Sequence, residues 1–301
     1  MSEQYCIFHI NGGLGKNIAA TAVAQCIKNN FPDRKLIVVC AWPDIFINLP
    51  FVYRVYHFNT TSYFYQTYIE NKESLIFHNE PYLTTDHINK KLPLIQSWCK
   101  MYNLQYTGEK PVLKFNAAQQ FFADEYYNPE QRPVMVIHTN GGMIVDNAKS
   151  FMWARDMPYN TAQEIVNKYK NDYLIYQCTK RQSPKLDDVR YIQWDENIKL
   201  NTMQFLSILL VSEKQVLIDS CLQHAAAALE KPSTVLWNGT SPKVFGYDIH
   251  NNIETAKPHD FKLPNSYLFD FSFDGFEHEY PFGENDFLFD MKKVFKSIDS
   301  L

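Results

Sequence analysis

Short apolar runs, each closed by glycine or polar residues and followed by helical periodicity, recur along the chain. In the first third, residues 5–10, 35–40, 52–56 and 75–78 are such runs and predict strands. Residues 18–30 predict a helix after the first run, and residues 88–102 predict another, with Ile88, Leu92, Ile95, Trp98 and Cys99 on one face. The pattern restarts after a polar stretch at 116–132 that ends in Arg132-Pro133. Strands are predicted at 134–138, 173–177, 190–194, 215–219 and 233–237, with helices at 161–169, 202–210 and 223–229. Short strands alternating with helices predict mostly parallel sheets.

The restart near residue 130 predicts an α/β chain of two Rossmann-like domains, 1–130 and 131–275, facing across a cleft. In open parallel sheets ligands sit beyond the strand C-termini. Both Gly-Gly loops, Gly12-Gly13 and Gly141-Gly142, fall at such ends. The tail, 276–301, is the remaining piece. Residues 258–283 are rich in Phe, Pro, Asp and Asn, and residues 285–298 predict an amphipathic helix presenting Phe287, Met291, Val294 and Ile298. It is expected to pack across the domains.

The first βα junction is Asn11-Gly12-Gly13-Leu14-Gly15-Lys16-Asn17. Glycines there permit positive φ and bring helix N-terminal amides close to a ligand, where they favour phosphate or sugar oxygens. A P-loop needs glycine at position 10 and Ser or Thr at 17, which are Ile10 and Asn17. A dinucleotide fingerprint begun at Gly13 and Gly15 needs a third glycine where Ile18 stands. The loop is read as a ligand loop of another kind, with a tight packing turn as the alternative.

Composition narrows the classes. A chain of 301 residues has room for two domains of roughly 100 to 200 residues each, and 46% hydrophobic residues can fill both cores. The formal net charge of −4 gives no reason to expect a general polyanion binder. Six cysteines lack C-x-x-C spacing and several lie inside apolar runs, so they read as buried thiols in a reducing compartment. No apolar run reaches the ~18 residues of a spanning helix, and residues 1–4 do not open a leader peptide. A cytoplasmic protein without a membrane span is expected.

The densest chemistry lies between Leu217 and Pro242. Asp219 and Ser220 close a predicted strand and are placed to cap the following helix, whose first amides favour an anion. His224 falls on the first turn, small alanines follow, and Lys231-Pro232 precedes a strand and then Thr240-Ser241-Pro242. In order and spacing this resembles the donor-site motif of glycosyltransferase family 9, the lipopolysaccharide heptosyltransferases. There an Asp-Thr-Gly-x-x-His-x-x-Ala-Ala pattern precedes Lys-Pro, a strand and Thr-Ser-Pro. The Gly12 to Gly15 loop, Asn30-Phe31-Pro32-Asp33 and residues 150–158, with Trp153, Arg155 and Pro158, are similar to further segments of that family.

The resemblance implies a GT-B fold and transfer of a sugar from a nucleotide-diphosphate donor to an acceptor hydroxyl. Donor binding would fall mainly to residues 138–245 and acceptor binding to residues 9–110. Asp219, Ser220, His224 and Ser241 would then meet the donor, with Gly12, Gly13 and Gly15 on the cleft floor. Lys149 or Arg155 would stabilise the departing diphosphate. No acidic pair reads as a metal site, so metal-independent single displacement with no tightly bound cofactor is expected.

Two departures bear on the chemistry. The family carries an Asp directly after its glycine loop, thought to be the catalytic base, and this chain has Lys16; the family's Gly after Asp-Thr is Cys221. Glu80, in His78-Asn79-Glu80-Pro81, is the first alternative base, with Asp44 and His78 next and Lys16 a substrate contact. The acceptor is open between a saccharide, as in the family, and a hydroxymethylated DNA base, as for a phage-encoded transferase in its host's cytoplasm. A catalytically inactive sugar or nucleotide binder and a family 11 fucosyltransferase-like enzyme also stand as alternatives. The latter's His-x-Arg is not matched by His138-Thr139-Asn140. The aromatic residues between Tyr53 and Tyr68 suit either stacking on a ligand or core packing.

Overall fold

The computed structural model describes residues 3–141, 155–180, 183–194, 200–256 and 288–301. They form two compact units, 1–116 and 117–301.

The first unit is built on β1 (Gln4–Ile10), β2 (Lys35–Cys40), β3 (Arg54–His57) and β4 (Glu73–Phe77), all parallel in the order β3-β2-β1-β4. Successive side chains on β1 point to opposite faces. On one face α1 (Leu14–Asn30) buries Ala19, Ala20, Ala22 and Ala24 completely, residues small enough for close approach to the sheet. On the other, Tyr5, Ile7, Ile37, Val39 and Tyr68 form a cluster flanked by Tyr56, Phe58 and Phe64. Phe64 and Tyr68 belong to the short α2 (Phe64–Tyr68), so much of the aromatic stretch packs on the sheet.

The helix expected over 88–102 is two helices, α3 (Thr85–Ile88) and α4 (Leu94–Met101). Pro93 is the N-cap of α4; it lacks the N–H a continuous helix would use and disfavours helical backbone in the residue before it. Trp98 of α4 packs edge-on against Phe8 of β1, with centroids 5.7 Å apart.

Among the described residues the second unit has six parallel strands: β5 (Val134–Asn140), β6 (Leu174–Thr179), β7 (Arg190–Gln193), β8 (Ser212–Ile218), β9 (Thr234–Trp237) and β10 (Asn251–Glu254). Their order is β10-β9-β8-β5-β6-β7. Every residue of β5 and β6 is buried, as expected of strands covered on both faces. Its helices are α5 (Ala117–Tyr127), α6 (Tyr159–Tyr169), α7 (Thr202–Leu206), α8 (Ile208–Val211), α9 (Cys221–Ala228), α10 (Pro242–Phe245) and α11 (Met291–Ser300). The helix expected at 202–210 is thus divided at Ser207, between α7 and α8.

The division between units falls at residue 116, ahead of the expected 130. The intervening polar stretch holds α5, which is tied to the second unit: Tyr127 Oη donates to the Gln204 carbonyl at 3.0 Å, and Tyr176 Oη to the Tyr127 carbonyl at 2.9 Å. The tail helix begins at Met291. It buries Val294 and Ile298 in the second unit's core, beside Leu288 and Phe289. Thr234 and Ser297 hydroxyls meet there at 2.6 Å. Phe287 lies outside the described residues.

All six cysteines are free thiols. Among the described residues, no helix is long and apolar enough to cross a membrane.

Candidate functional site

The first unit's strand ends carry one cluster. Gly12 has φ +92°, a conformation L side chains rarely adopt, and Gly13 is the N-cap of α1, so Gly15 and Lys16 lie in the helix's first turn. The Gly12 carbonyl accepts from Trp42 Nε1 at 3.0 Å and from Asn17 Nδ2 at 3.3 Å. Asn17 Nδ2 also reaches the Gly13 carbonyl at 3.0 Å. A Cβ on Gly13 would meet nothing within 4 Å, so protein packing does not require that glycine. A Cβ on Gly12 would lie 2.4 Å from Lys16 Cε, because the lysine side chain folds back over the loop. Its Nζ ends 2.6 Å from Glu80 Oε1 and 5.3 Å from the Tyr82 ring centroid.

Glu80 is delivered by the loop beyond β4. There the Asn79 carbonyl accepts from Trp98 Nε1 at 3.1 Å and from Tyr102 Oη, which clamps His78-Asn79-Glu80 against α4 and its end. His78 Nδ1 lies 2.5 Å from His9 Nδ1 on the adjacent β1, so one ring donates and the other accepts. Burial and the neighbouring His78 lower the pKa of His9, and the Glu80 carboxylate opposes them. Lys16, Glu80 and His78 are thereby gathered, and His9 joins them. The sequence signal for His9 was a polar residue interrupting an apolar run one step before its end. Asp44 is exposed in the turn Pro43–Ile45, two residues after Trp42.

The second cluster lies beyond the C-terminal ends of β5, β6, β8 and β9. Asp219 is buried; burial raises its pKa, while the charge of Arg155 and a hydrogen bond with Thr240 act against that shift. Ser220 is the N-cap of α9, but its side chain does not cap the helix as expected. Its Oγ instead points to Cys221 Sγ at 4.0 Å and occupies the space a Cβ on Gly141 would need, 2.2 Å away. Gly141 is glycine so that β5 and the start of α9 can approach.

Among the described residues, Arg155 and Lys180 stand here. Arg155 is half-buried, in a segment fixed by Asn238 Nδ2 donating to the Asp156 carbonyl at 2.6 Å and by Met157 N–H donating to the Thr139 carbonyl at 2.9 Å. Lys180, which the sequence reading missed, follows β6 directly. Its backbone N–H donates to Asn140 Oδ1 at 2.9 Å, and its Nζ lies 4.3 Å from the Trp194 centroid. Burial pushes the Cys221 thiol up to about 11, against the Ser220 hydrogen bond and the charge of Lys180. Its sequence signal was its position, the first residue past a strand.

His224 is packed and hydrogen-bonded. Its Nδ1 is 2.8 Å from Tyr247 Oη, and burial together with His250 pushes its pKa down to about 3, so the ring is neutral. Ser241 is the half-buried N-cap of α10, with no side-chain cap. Lys149 and Trp153 lie outside the described residues. Among the described residues, no group of three or more His, Cys, Asp and Glu side chains is placed to hold a metal.

No protein-family model matches the chain, and no curated protein matches it. Solved structures do. The glycosyl transferase family 9 protein from Veillonella parvula DSM 2008 is similar over 100% of this chain and 97% of its own, with TM-score 0.69 and 10% identity. E. coli ADP-heptose lipopolysaccharide heptosyltransferase II is similar over 89% and 97%, with TM-score 0.63 and 12% identity. E. coli heptosyltransferase WaaC with ADP covers 89% and 98%, at TM-score 0.53 and 12% identity. Two α/β units with parallel sheets, in this chain order, are the GT-B fold.

Proposed function

We propose that the chain is a glycosyltransferase that takes a sugar from a nucleoside-diphosphate donor. The observation that carries this reading is the set of residues at the second sheet's strand ends. Gly141 lets β5 approach the start of α9, the segment after Arg155 is pinned to Asn238 and Thr139, and Lys180 follows β6 with its N–H on Asn140. Helix-start amides and two cations suit a diphosphate, and the crevice beyond parallel strand ends is where such folds bind ligands. The fold shared with glycosyltransferases, one of them solved with ADP, supports the same reading and favours ADP as the nucleotide.

In the reaction, the sugar's anomeric carbon leaves the diphosphate oxygen and bonds to the acceptor hydroxyl oxygen, whose proton needs a base. Glu80 is that base. Lys16 holds its Oε1 at 2.6 Å, which orients the carboxylate and leaves Oε2 as the oxygen to take the acceptor proton in this reading. Arg155, Lys180 and the α9 amides stabilise the departing nucleoside diphosphate, so transfer needs no divalent ion.

Calorimetric titration with ADP, UDP, GDP and CDP tests the donor site. Saturable binding of one or more, with ADP strongest, is expected; binding of none would overturn the assignment.

A further inference from the structure

On the face of the first sheet opposite Phe8 and Trp98, a pocket of about 680 Å³ opens between the strands and α2. Ile7, Ile76, Phe58 and Tyr65 line its apolar part, and His9 and His78 line the strand-end side. Ile76 and Tyr65 are 60% and 59% exposed, an unusual state for large apolar side chains that face a concavity. No lysine, arginine, aspartate or glutamate is among the described residues that line it. Its volume falls in the roughly 300–1,000 Å³ range of small-molecule sites, which are apolar hollows with a few convergent polar groups.

We propose that this pocket seats the acceptor, and that the acceptor is an uncharged molecule with an aromatic or alicyclic ring and a hydroxyl directed to the His9–His78 pair. The inference rests on the glycosyltransferase reading with Glu80 as base. Three features carry it. Ring faces and aliphatic side chains suit a flat apolar body. A phosphate or carboxylate buried there would meet no lysine or arginine among the described lining residues to offset its lost hydration. The pocket also ends at the base's own loop: His78 lines it, Glu80 follows two residues later in the same segment, and Lys16 holds Glu80 there. A hydroxyl at the histidine end therefore enters the strand-end cluster to which Glu80 belongs.

The test is fluorescence titration of the full chain with 4-methylumbelliferyl β-D-glucoside, with glucose 6-phosphate as the charged comparison. Tyr65→Ala and Ile76→Lys alter exposed positions and leave the core intact. Saturable binding of the glucoside is expected, weakened about tenfold or more by each variant, with nucleoside-diphosphate binding unchanged. Three results would each overturn the proposal: no saturable binding, binding that neither variant weakens, or equally tight glucose 6-phosphate binding lost in the same variants. Glucoside binding that behaves as expected in a protein that binds no nucleoside diphosphate would uphold the pocket and sink the donor reading. Nucleotide binding without glucoside binding would do the reverse.

Discussion

Lys16 Nζ lies 2.6 Å from Glu80 Oε1, joining the first turn of α1 to the loop beyond β4 across 64 residues of sequence. The lysine that follows the glycine loop thereby draws a carboxylate to it from the loop beyond β4, the strand paired with β1.

Glu80→Gln should lower kcat by roughly 10² or more with little change in donor affinity, the scale of a lost general base. Lys16→Met should lose a large part of the same factor, and the double variant should resemble Glu80→Gln alone, since the two residues act as a unit. The pair is partly exposed, so urea denaturation should move by no more than about 1 kcal/mol. Near-normal turnover in Glu80→Gln would place the base elsewhere, with His78 and Asp44 next to test.

The two loop glycines should separate by substitution. Gly12→Ala strains a backbone at φ +92° and drives the new Cβ into Lys16, so stability should fall by about 1–2 kcal/mol and turnover with it. Gly13→Ala enters open space at φ −71° and should leave the melting temperature unchanged. A ligand packed on the loop would make Gly13→Ala weaken substrate binding, measurable as a raised KM. An unchanged KM would return the loop to a packing turn.

Arg155→Ala and Lys180→Ala should each weaken nucleoside-diphosphate binding about tenfold or more in calorimetry, as expected for a lost charge-assisted hydrogen bond. Gly141→Ala should abolish it, because the added methyl collides with Ser220 Oγ at the start of α9. Transfer should persist in EDTA; loss on chelation, restored by Mg²⁺ or Mn²⁺, would reveal a metal-dependent step.

Acid should destabilise the second unit through its buried histidines. Burial pushes His138 down to about 4 and His224 down to about 3, and lowers the pKa of His250. The unfolded chain takes up these protons first, near pH ~6.5. Stability is therefore complete above that pH and declines as pH falls toward the folded values, by about 1.4 kcal/mol per pH unit for each histidine. Urea midpoints at pH 7.5 and 5.5 should show the decline, and His224→Asn should reduce its slope by one proton. An unchanged slope would assign the acid sensitivity to other groups.

What the sequence determined by itself was local or repetitive. Strands such as β1, β2, β5 and β6 are covered on both faces, so nearly every residue is apolar and the runs stand out without any partner being known. The chain order of the Gly12-Gly13 loop, Asp219-Ser220, His224 and Thr240-Ser241-Pro242 likewise carried the resemblance that led to the GT-B fold. β10 and α5 escaped because Asn-Asn-Ile-Glu and a largely exposed helix owe their form to neighbours; β10 pairs with β9, and α5 is held through Tyr127. The chemistry of the strand ends also needed the tertiary structure. β4 pairs with β1, and that adjacency alone brings His78 to His9 and Glu80 to Lys16. Lys180 stands at the strand ends beside Asn140 because β6 pairs with β5. Strand order comes from packing whole elements into one sheet, a property of all the strands together that no single stretch of sequence contains.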